Sequence, residues 1–367
     1  MINLKIFKNS RVIVTGHTGF KGSWLTAWLK HLGAEVMGIS LNPPSNPYHF
    51  KVSKIGLGIK NFKVDIRNRK KLEKKIVNFK PDFIFHLAAQ SLVPISYKKP
   101  TLTWQTNVFG TLNILLSIRK LKNKCNVIII TSDKCYYNKE MKSGYKETDI
   151  LGGKDPYSSS KASAELVVKS FINSFFSKKK QNIRITTARA GNVIGGGDWA
   201  NYRIIPDCVK SWSKNKKAKL RNPNATRPWQ HVLEAVGGYL CLAINLKLNK
   251  KLHGESFNFG PNLNKEYSVL ELVKTMSHSW NHVSWKILPK SKKIFFESEL
   301  LRLNCNKAKR ILKWKSVLEF EETMKMVTDW YSNYYLNSKN AAFITNNQIE
   351  EYQSLATKRG LTWAKIN

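Results

Sequence analysis

Arg11-Val12-Ile13-Val14-Thr15 runs directly into Gly16-His17-Thr18-Gly19-Phe20-Lys21-Gly22, and an apolar helical pattern follows from Ser23 to Leu32. A β-branched run, a Gly-x-x-Gly-x-x-Gly loop and a helix form the unit that binds a dinucleotide. The glycines allow a tight turn and let the N–H groups at the helix start approach a pyrophosphate. The same rhythm continues outward. Strands are expected at Glu35 to Ser40, Asp82 to His86, Asn126 to Thr131 and Ile183 to Arg189. Helices are expected at Arg69 to Phe79, Thr103 to Lys120 and Ser158 to Ser174. Alternating strands and helices imply an α/β fold, a doubly wound parallel sheet covered on both faces.

After Gly191 the pattern changes to Gly-, Asn- and Trp-rich loops with shorter elements. This predicts a smaller, interwoven α+β lobe for the substrate. Residues 1–190, with a returning segment at about 228–260, are assigned to the dinucleotide-binding domain. Residues 191–227 and 261–367 are assigned to the substrate lobe. The polar tail from about Asn337 reads as a surface helix or partner contact.

The 367 residues carry 62 Lys and Arg against 24 Asp and Glu, a net charge of +38. The basic groups are scattered: Arg69 to Lys71 with Lys74 and Lys75, Lys178 to Lys180, and Lys214 to Lys219. None is interleaved with stacking aromatics, so a solvated surface is expected rather than a specific nucleic-acid site, with weak salt-sensitive adhesion to polyanions. No apolar run is long enough to span a membrane, and the start does not read as a signal peptide. The five cysteines have no zinc-like spacing, no metal is expected, and reduced thiols in a cytoplasmic protein follow. Cys135 stands beside the chemistry described next. It reads as a small packing residue, since its segment offers no activating histidine.

The chemistry is carried by two groups. Tyr157-Ser158-Ser159-Ser160-Lys161 places an ammonium one helical turn beyond a phenol, which can then remove a proton from an alcohol. Thr131-Ser132-Asp133-Lys134, at the end of an apolar strand, adds a hydroxyl pair, an acid and an amine. Alone, Asp133 and Lys134 could be an exposed ion pair. Beside Tyr157 and Lys161 they suggest elimination assisted by a transient ketone.

No acid follows the second strand to hold an adenosine ribose; Leu41-Asn42-Pro43-Pro44 stands there. Asn42 can hydrogen-bond a ribose hydroxyl, and no arginine follows at once, so NAD is preferred over NADP. Asp65 and Ile66 are expected to border the adenine pocket, with a helix N-cap as the alternative role for Asp65. Ala88-Ala89-Gln90 would let the cofactor lie close to backbone. Arg189, Asn192, Arg203, Arg221, Arg227 and Gln230 are the substrate-binding candidates, the arginines for their match to phosphate oxygens. Gly195-Gly196-Gly197-Asp198-Trp199 can wrap a ligand or be a flexible loop. His231 reads as a structural histidine, and Trp104 as core.

Gly16 to Gly22, Ala88 to Gln90, Thr131 to Asp133 and Tyr157 with Lys161 resemble the extended short-chain dehydrogenase/reductases, with a Rossmann domain. GHTGFKGSW, TSDKCY, RAGNVIGGGDW and RPWQHV are similar to the CDP-glucose 4,6-dehydratase family, in the family's order from residue 16 to residue 232. The resemblance implies bound NAD, a homodimer or higher homo-oligomer, and conversion of CDP-D-glucose to CDP-4-dehydro-6-deoxy-D-glucose for deoxysugar and polysaccharide biosynthesis. It further implies Tyr157 as base at O4 and Lys161 as the group lowering the phenol and binding nicotinamide ribose, with Ser132 or Thr131 on the 4-oxygen. Related dehydratases carry glutamate where Lys134 stands, and the CDP-glucose branch carries lysine. Lys134 as C5 base and Asp133 as C6 acid would both have to work in unusual ionisation states. A 4-epimerase is the nearest rival, and a binding protein without turnover is a further one.

Overall fold

The computed structural model describes residues 3–43, 45–177, 182–262, 266–280, 283–289, 300–338 and 340–365. The basic group Lys178 to Lys180 lies outside them.

Seven strands form one parallel sheet: β1 (Arg11–Thr15), β2 (Glu35–Ser40), β3 (Lys60–Lys63), β4 (Phe83–His86), β5 (Cys125–Ile130), β6 (Ile183–Ala190) and β7 (Ser256–Phe259). Their spatial order is β7-β6-β5-β4-β1-β2-β3, so the chain reverses direction across the sheet between β1 and β4. Alternation along each strand supplies two cores. Val12, Val14, Phe83, Phe85, Ile128 and Ile130 face one side, with Trp24 and Trp28 packed in the same core. Ile13, Ile84, Val127, Ile129 and Ile185 face the other. Strands buried on both faces are apolar nearly throughout, which is why they are legible as short runs.

Strand β4 is one residue shorter than expected: it begins at Phe83, and Asp82 turns its carboxylate back to accept the Arg11 N–H at 2.8 Å. Helix α1 (Phe20–His31) begins earlier than expected, directly on the glycine loop. Helix α2 spans Arg69–Phe79, with Asn68 rather than Asp65 as N-cap. The next helix, α3, is not a single regular element: Pro100–Trp104 and Gly110–Ile118 flank a π-turn at Gln105–Phe109. Trp104 on it is 37% exposed and not core. Helix α4 (Pro156–Phe175) carries Tyr157 and Lys161 in its first turns.

Beyond β6 the chain crosses into smaller elements, including α5 (Ile204–Trp212), then returns as α6 (Val232–Leu248) and β7. It leaves again through α7 (Val269–Ser277) to α8 (Phe320–Tyr335) and α9 (Ala341–Lys358). The tail does not remain with the substrate lobe. Tyr352 of α9 packs edge-on against Trp28 of α1 at 5.6 Å, and Thr345 hydrogen-bonds His49 at 2.9 Å.

One buried ion pair pins α4 to the sheet. Glu165 accepts from Arg189 Nε and Nη2 on β6, both at 2.9 Å, and from Thr131 at 2.5 Å and Thr187 at 2.8 Å. Burial pushes the Glu165 carboxyl up, but the Arg189 guanidinium and these hydrogen bonds outweigh it and hold the carboxyl below its ordinary range. Removing one partner leaves the other charge buried and unmet. Glu165→Leu is therefore expected to cost about 3–5 kcal/mol in urea unfolding, and the double variant Glu165→Leu/Arg189→Met much less. Additive losses in the double variant would contradict this account.

Candidate active site

The C-terminal ends of β1, β4, β5 and β6 converge where the strand order reverses, the position at which open α/β sheets bind ligands. At β1 the glycine loop has no space for side chains. A Cβ on Gly16 would overlap the Ala88 backbone, and one on Gly22 would overlap the Gly16 carbonyl. Gly16 also has φ of +74°, which favours glycine. Gly19 caps α1 without a side-chain acceptor, so the amides there face outward for a phosphate. His17 is buried, its Nε2 donating to Asn61 Oδ1 at 2.8 Å, and Thr18 donates to the Leu41 carbonyl at 2.6 Å. Asn42 is exposed just beyond β2. Asp65 pairs with Arg67 at 2.6 Å, and Ile66 packs against Gly110.

After β4, the Gln90 side chain turns into the protein, donating to Thr103 at 3.0 Å and accepting from the Leu92 N–H at 2.7 Å. Its backbone is held by Asn107, which accepts from Gln90 N–H at 2.8 Å and donates to the Gln90 carbonyl and to Ser160. Asn107 is buried and lies within the π-turn, and π-turns gather at functional sites. Sequence reading missed it; a polar residue on the apolar face of a helix was its only signal.

After β5, Ser132 N-caps the 3-10 turn Asp133–Cys135. The buried Asp133 carboxylate accepts from Ser132 at 2.8 Å, from the Lys134 N–H at 2.9 Å and from Asn192 at 3.2 Å. A Cβ on Gly191 would overlap that carboxylate. Lys134 is half-buried beside it. Cys135 is fully buried and its thiol is pushed up by burial, which removes it as a nucleophile.

On α4, Asp155 caps the helix, accepting from the Tyr157 and Ser158 N–H groups at 3.0 Å each. Burial pushes the Tyr157 phenol up to about 12, raised further by Asp133 and opposed by a hydrogen bond with Ser132 and by the Arg203 charge. Arg203 is thus a cation acting on the phenol that the sequence reading did not assign to it. Burial brings Lys161 itself down to about 8. Lys21, from the glycine loop, is brought down to about 7 by burial and by the charges of Lys161 and Arg203. Its ammonium lies 3.4 Å from the Tyr239 hydroxyl. The loop therefore sends one side chain into the catalytic cluster, beyond the backbone contacts expected of it.

Arg203 is fixed by Asp198 at 2.6 Å, a buried partner that sequence reading passed over. Asp198 belongs to a clamped segment, not a flexible loop. The Gly196 carbonyl accepts from Trp24 at 2.9 Å, and a Cβ there would overlap Trp330.

The other candidates separate. Arg189 is engaged by Glu165 and donates to the Tyr136 hydroxyl at 2.8 Å, so its guanidinium is structural rather than a substrate contact. Arg221 is exposed at the surface and pairs with Asp207 at 3.3 Å. Arg227 and Gln230 line a cavity in the smaller lobe with Arg302, Glu234, Tyr267 and Phe320. Arg302, also missed in the sequence, pairs there with Glu266. His231 caps α6, accepting from the Leu233 N–H at 3.3 Å, in keeping with a structural role. Among the described residues no His, Cys, Asp or Glu group could hold a metal ion.

A family model for GDP-mannose 4,6 dehydratase matches residues 13–327. The chain is 39% identical to CDP-glucose 4,6-dehydratase of Salmonella typhimurium over 362 residues, covering 98% of this chain and 100% of that protein. Among solved structures, UDP-glucose 4-epimerase of Thermotoga maritima with UDP-glucose superposes with a TM-score of 0.75 at 23% identity, covering 88% and 99% of the two chains. The NAD complex of dTDP-glucose 4,6-dehydratase from Bacillus anthracis gives 0.69 at 22% identity, covering 88% and 97%.

Because Arg203 opposes the upward shift of the phenol, Arg203→Met should raise the Tyr157 pKa. With Tyr157 as the expected base, the rising limb of the pH–rate profile should move to higher pH in the variant. An unchanged limb with reduced kcat would limit Arg203 to substrate binding.

Proposed function

The chain belongs to the GDP-mannose 4,6 dehydratase family, and from that premise we propose that it removes water from CDP-D-glucose to form CDP-4-dehydro-6-deoxy-D-glucose. The observation that carries the reading is the buried Asp133 carboxylate bonded to Ser132 and acting on Tyr157, with Lys134 next in the chain, since an elimination needs an acid and a base beyond the pair that oxidises an alcohol. The near full-length relative supports the choice of cytidine nucleotide.

The glycine cradle fits NAD: the backbone approaches of Gly16 and Gly22 leave room for a pyrophosphate but for no Cβ. Bound there, NAD supplies the acceptor for the C4 hydride and the donor that returns it to C6. Tyr157, as phenolate, takes the proton of the 4-hydroxyl, and Ser132 holds the oxygen as it becomes a carbonyl. Lys161 binds the nicotinamide ribose from the same helix face. The ketone acidifies C5–H. Lys134 takes that proton, and the electron pair forms the C5–C6 double bond as the 6-hydroxyl leaves with a proton from Asp133. A hydride at C6 and a proton at C5 then complete the product, with the oxidised cofactor regenerated. Arg227 and Arg302 face the diphosphate.

A homodimer fits the exposed Phe109 and Trp104 of α3 and Leu166 of α4, apolar side chains on neighbouring helices. The five cysteines are buried free thiols, in keeping with a cytoplasmic setting. Among the described residues no helix is long and apolar enough to cross a membrane.

Incubation with CDP-, UDP-, dTDP- and GDP-glucose in deuterated water, followed by NMR, tests the reading. The expected product is a 4-keto-6-deoxy sugar carrying solvent deuterium at C5, from CDP-glucose alone. A galactose epimer would indicate a 4-epimerase and remove the roles of Asp133 and Lys134. Lys134→Ala should lower kcat by at least about 100-fold, the lower end for a general base, while cofactor binding is retained. Near-normal turnover would exclude Lys134 as the C5 base.

A further inference from the structure

One elimination leaves two groups in the wrong state for the next. Tyr157 starts ionised and gains the proton of the 4-hydroxyl. Asp133 starts protonated and loses its proton to the departing water. Lys134 returns to C5 the proton it takes there, so it ends as it began. Product and water together hold every hydrogen of the substrate. A turnover therefore ends with a phenol and a carboxylate, whereas the following one needs a phenolate and a carboxylic acid. One proton has to cross from Tyr157 to Asp133.

Ser132 bonds both. Its hydroxyl donates to Asp133 Oδ1 at 2.8 Å and is hydrogen-bonded with the Tyr157 phenol. The other donors to that carboxylate among the described residues are the Lys134 backbone N–H at 2.9 Å and the Asn192 side-chain amide at 3.2 Å. Amides keep their hydrogens. A hydroxyl has one hydrogen and two lone pairs, so it can accept a proton on one side while releasing its own on the other. Arg203, which also acts on the phenol, cannot give up its proton. Phenol–hydroxyl–carboxylate and phenolate–hydroxyl–carboxylic acid are thus two ends of one chain, separated by a single shift of two hydrogens. Tyr157, Ser132 and Asp133 are all buried, which favours a path inside the protein over exchange with bulk water.

We propose that the Ser132 hydroxyl is a proton relay that resets the site between turnovers, carrying the proton of Tyr157 to Asp133. The Tyr157 O–H bond breaks as a new one forms on Ser132 Oγ, and the hydrogen Ser132 held passes to Asp133 Oδ1, so no proton is drawn from solvent. This rests on the dehydratase reading and gives Ser132 a second task. During the reaction its hydrogen faces the 4-oxygen, and once product leaves it turns to Asp133, the bond seen at 2.8 Å. The free energy of reaching the phenolate and acid is the same by any route; the relay sets how fast they are reached.

The test measures steady-state turnover of CDP-glucose by NAD-loaded wild type, Ser132→Ala and Ser132→Thr, with and without imidazole as a diffusible proton carrier. Wild type and Ser132→Thr, which keeps the hydroxyl, should be unaffected by imidazole. Ser132→Ala should be slowed about tenfold or more and then regain at least about threefold as imidazole is added. Loss of the 4-oxygen contact alone gives slowing without that recovery. A Ser132→Ala enzyme that does not respond to imidazole would therefore overturn the proposal and confine Ser132 to the 4-oxygen. A melting curve checks that the variant folds. Should it not, wild-type turnover that rises with imidazole overturns the proposal, and turnover that stays level supports it. A wild type that forms no 4-keto-6-deoxy product refutes the dehydratase reading instead, an outcome distinct from product that forms without any imidazole response in Ser132→Ala.

Discussion

The Glu165 carboxylate joins three parts of the molecule that must be in register for the site to exist. It stands one turn beyond Lys161 on α4 and binds Thr131 at the end of β5 and Thr187 and Arg189 on β6. Thr131 immediately precedes Ser132 and Asp133, so one buried group sets the phenol and the ammonium of α4 against the acid that follows β5. A neutral side chain could pack in the same volume. It could not fix rotation and translation together, which four hydrogen bonds to a charged carboxylate do.

The electrostatics of the site follow from burial more than from the net charge of +38. Desolvation raises the phenol and lowers both Lys161 and Lys21, opposing ionisation of each. Arg203, anchored by Asp198, is a cation that favours the phenolate. A cluster holding Lys21, Lys161 and Arg203 around one acid is suited to an anionic substrate, and the bland surface lysines have no part in that.

Several residues were readable for a physical reason. The β-branched runs of β1, β2, β5 and β6 are buried on both faces, and Tyr157 and Lys161 stand at a spacing that only a helix makes meaningful. Asn107, Asp198 and Arg302 were not readable. Asn107 sits in an apolar helical pattern that conceals a π-turn, and the partners of the other two come from elements placed next to them only by folding. Arg189 was misjudged for the same reason: an arginine near a strand end is equally suited to phosphate or to carboxylate, and Glu165 lies 24 residues away in the chain.

The amino-acid sequence alone determined the parallel α/β architecture and the glycine loop, because each depends on local spacing and on short-range backbone geometry. The tertiary structure decided which arginines line the cavity, that the tail returns to α1, and that Glu165 takes Arg189. Those outcomes depend on distances between segments far apart in the chain, and charge and hydrogen-bond pairing are set by distance in space rather than by separation in sequence.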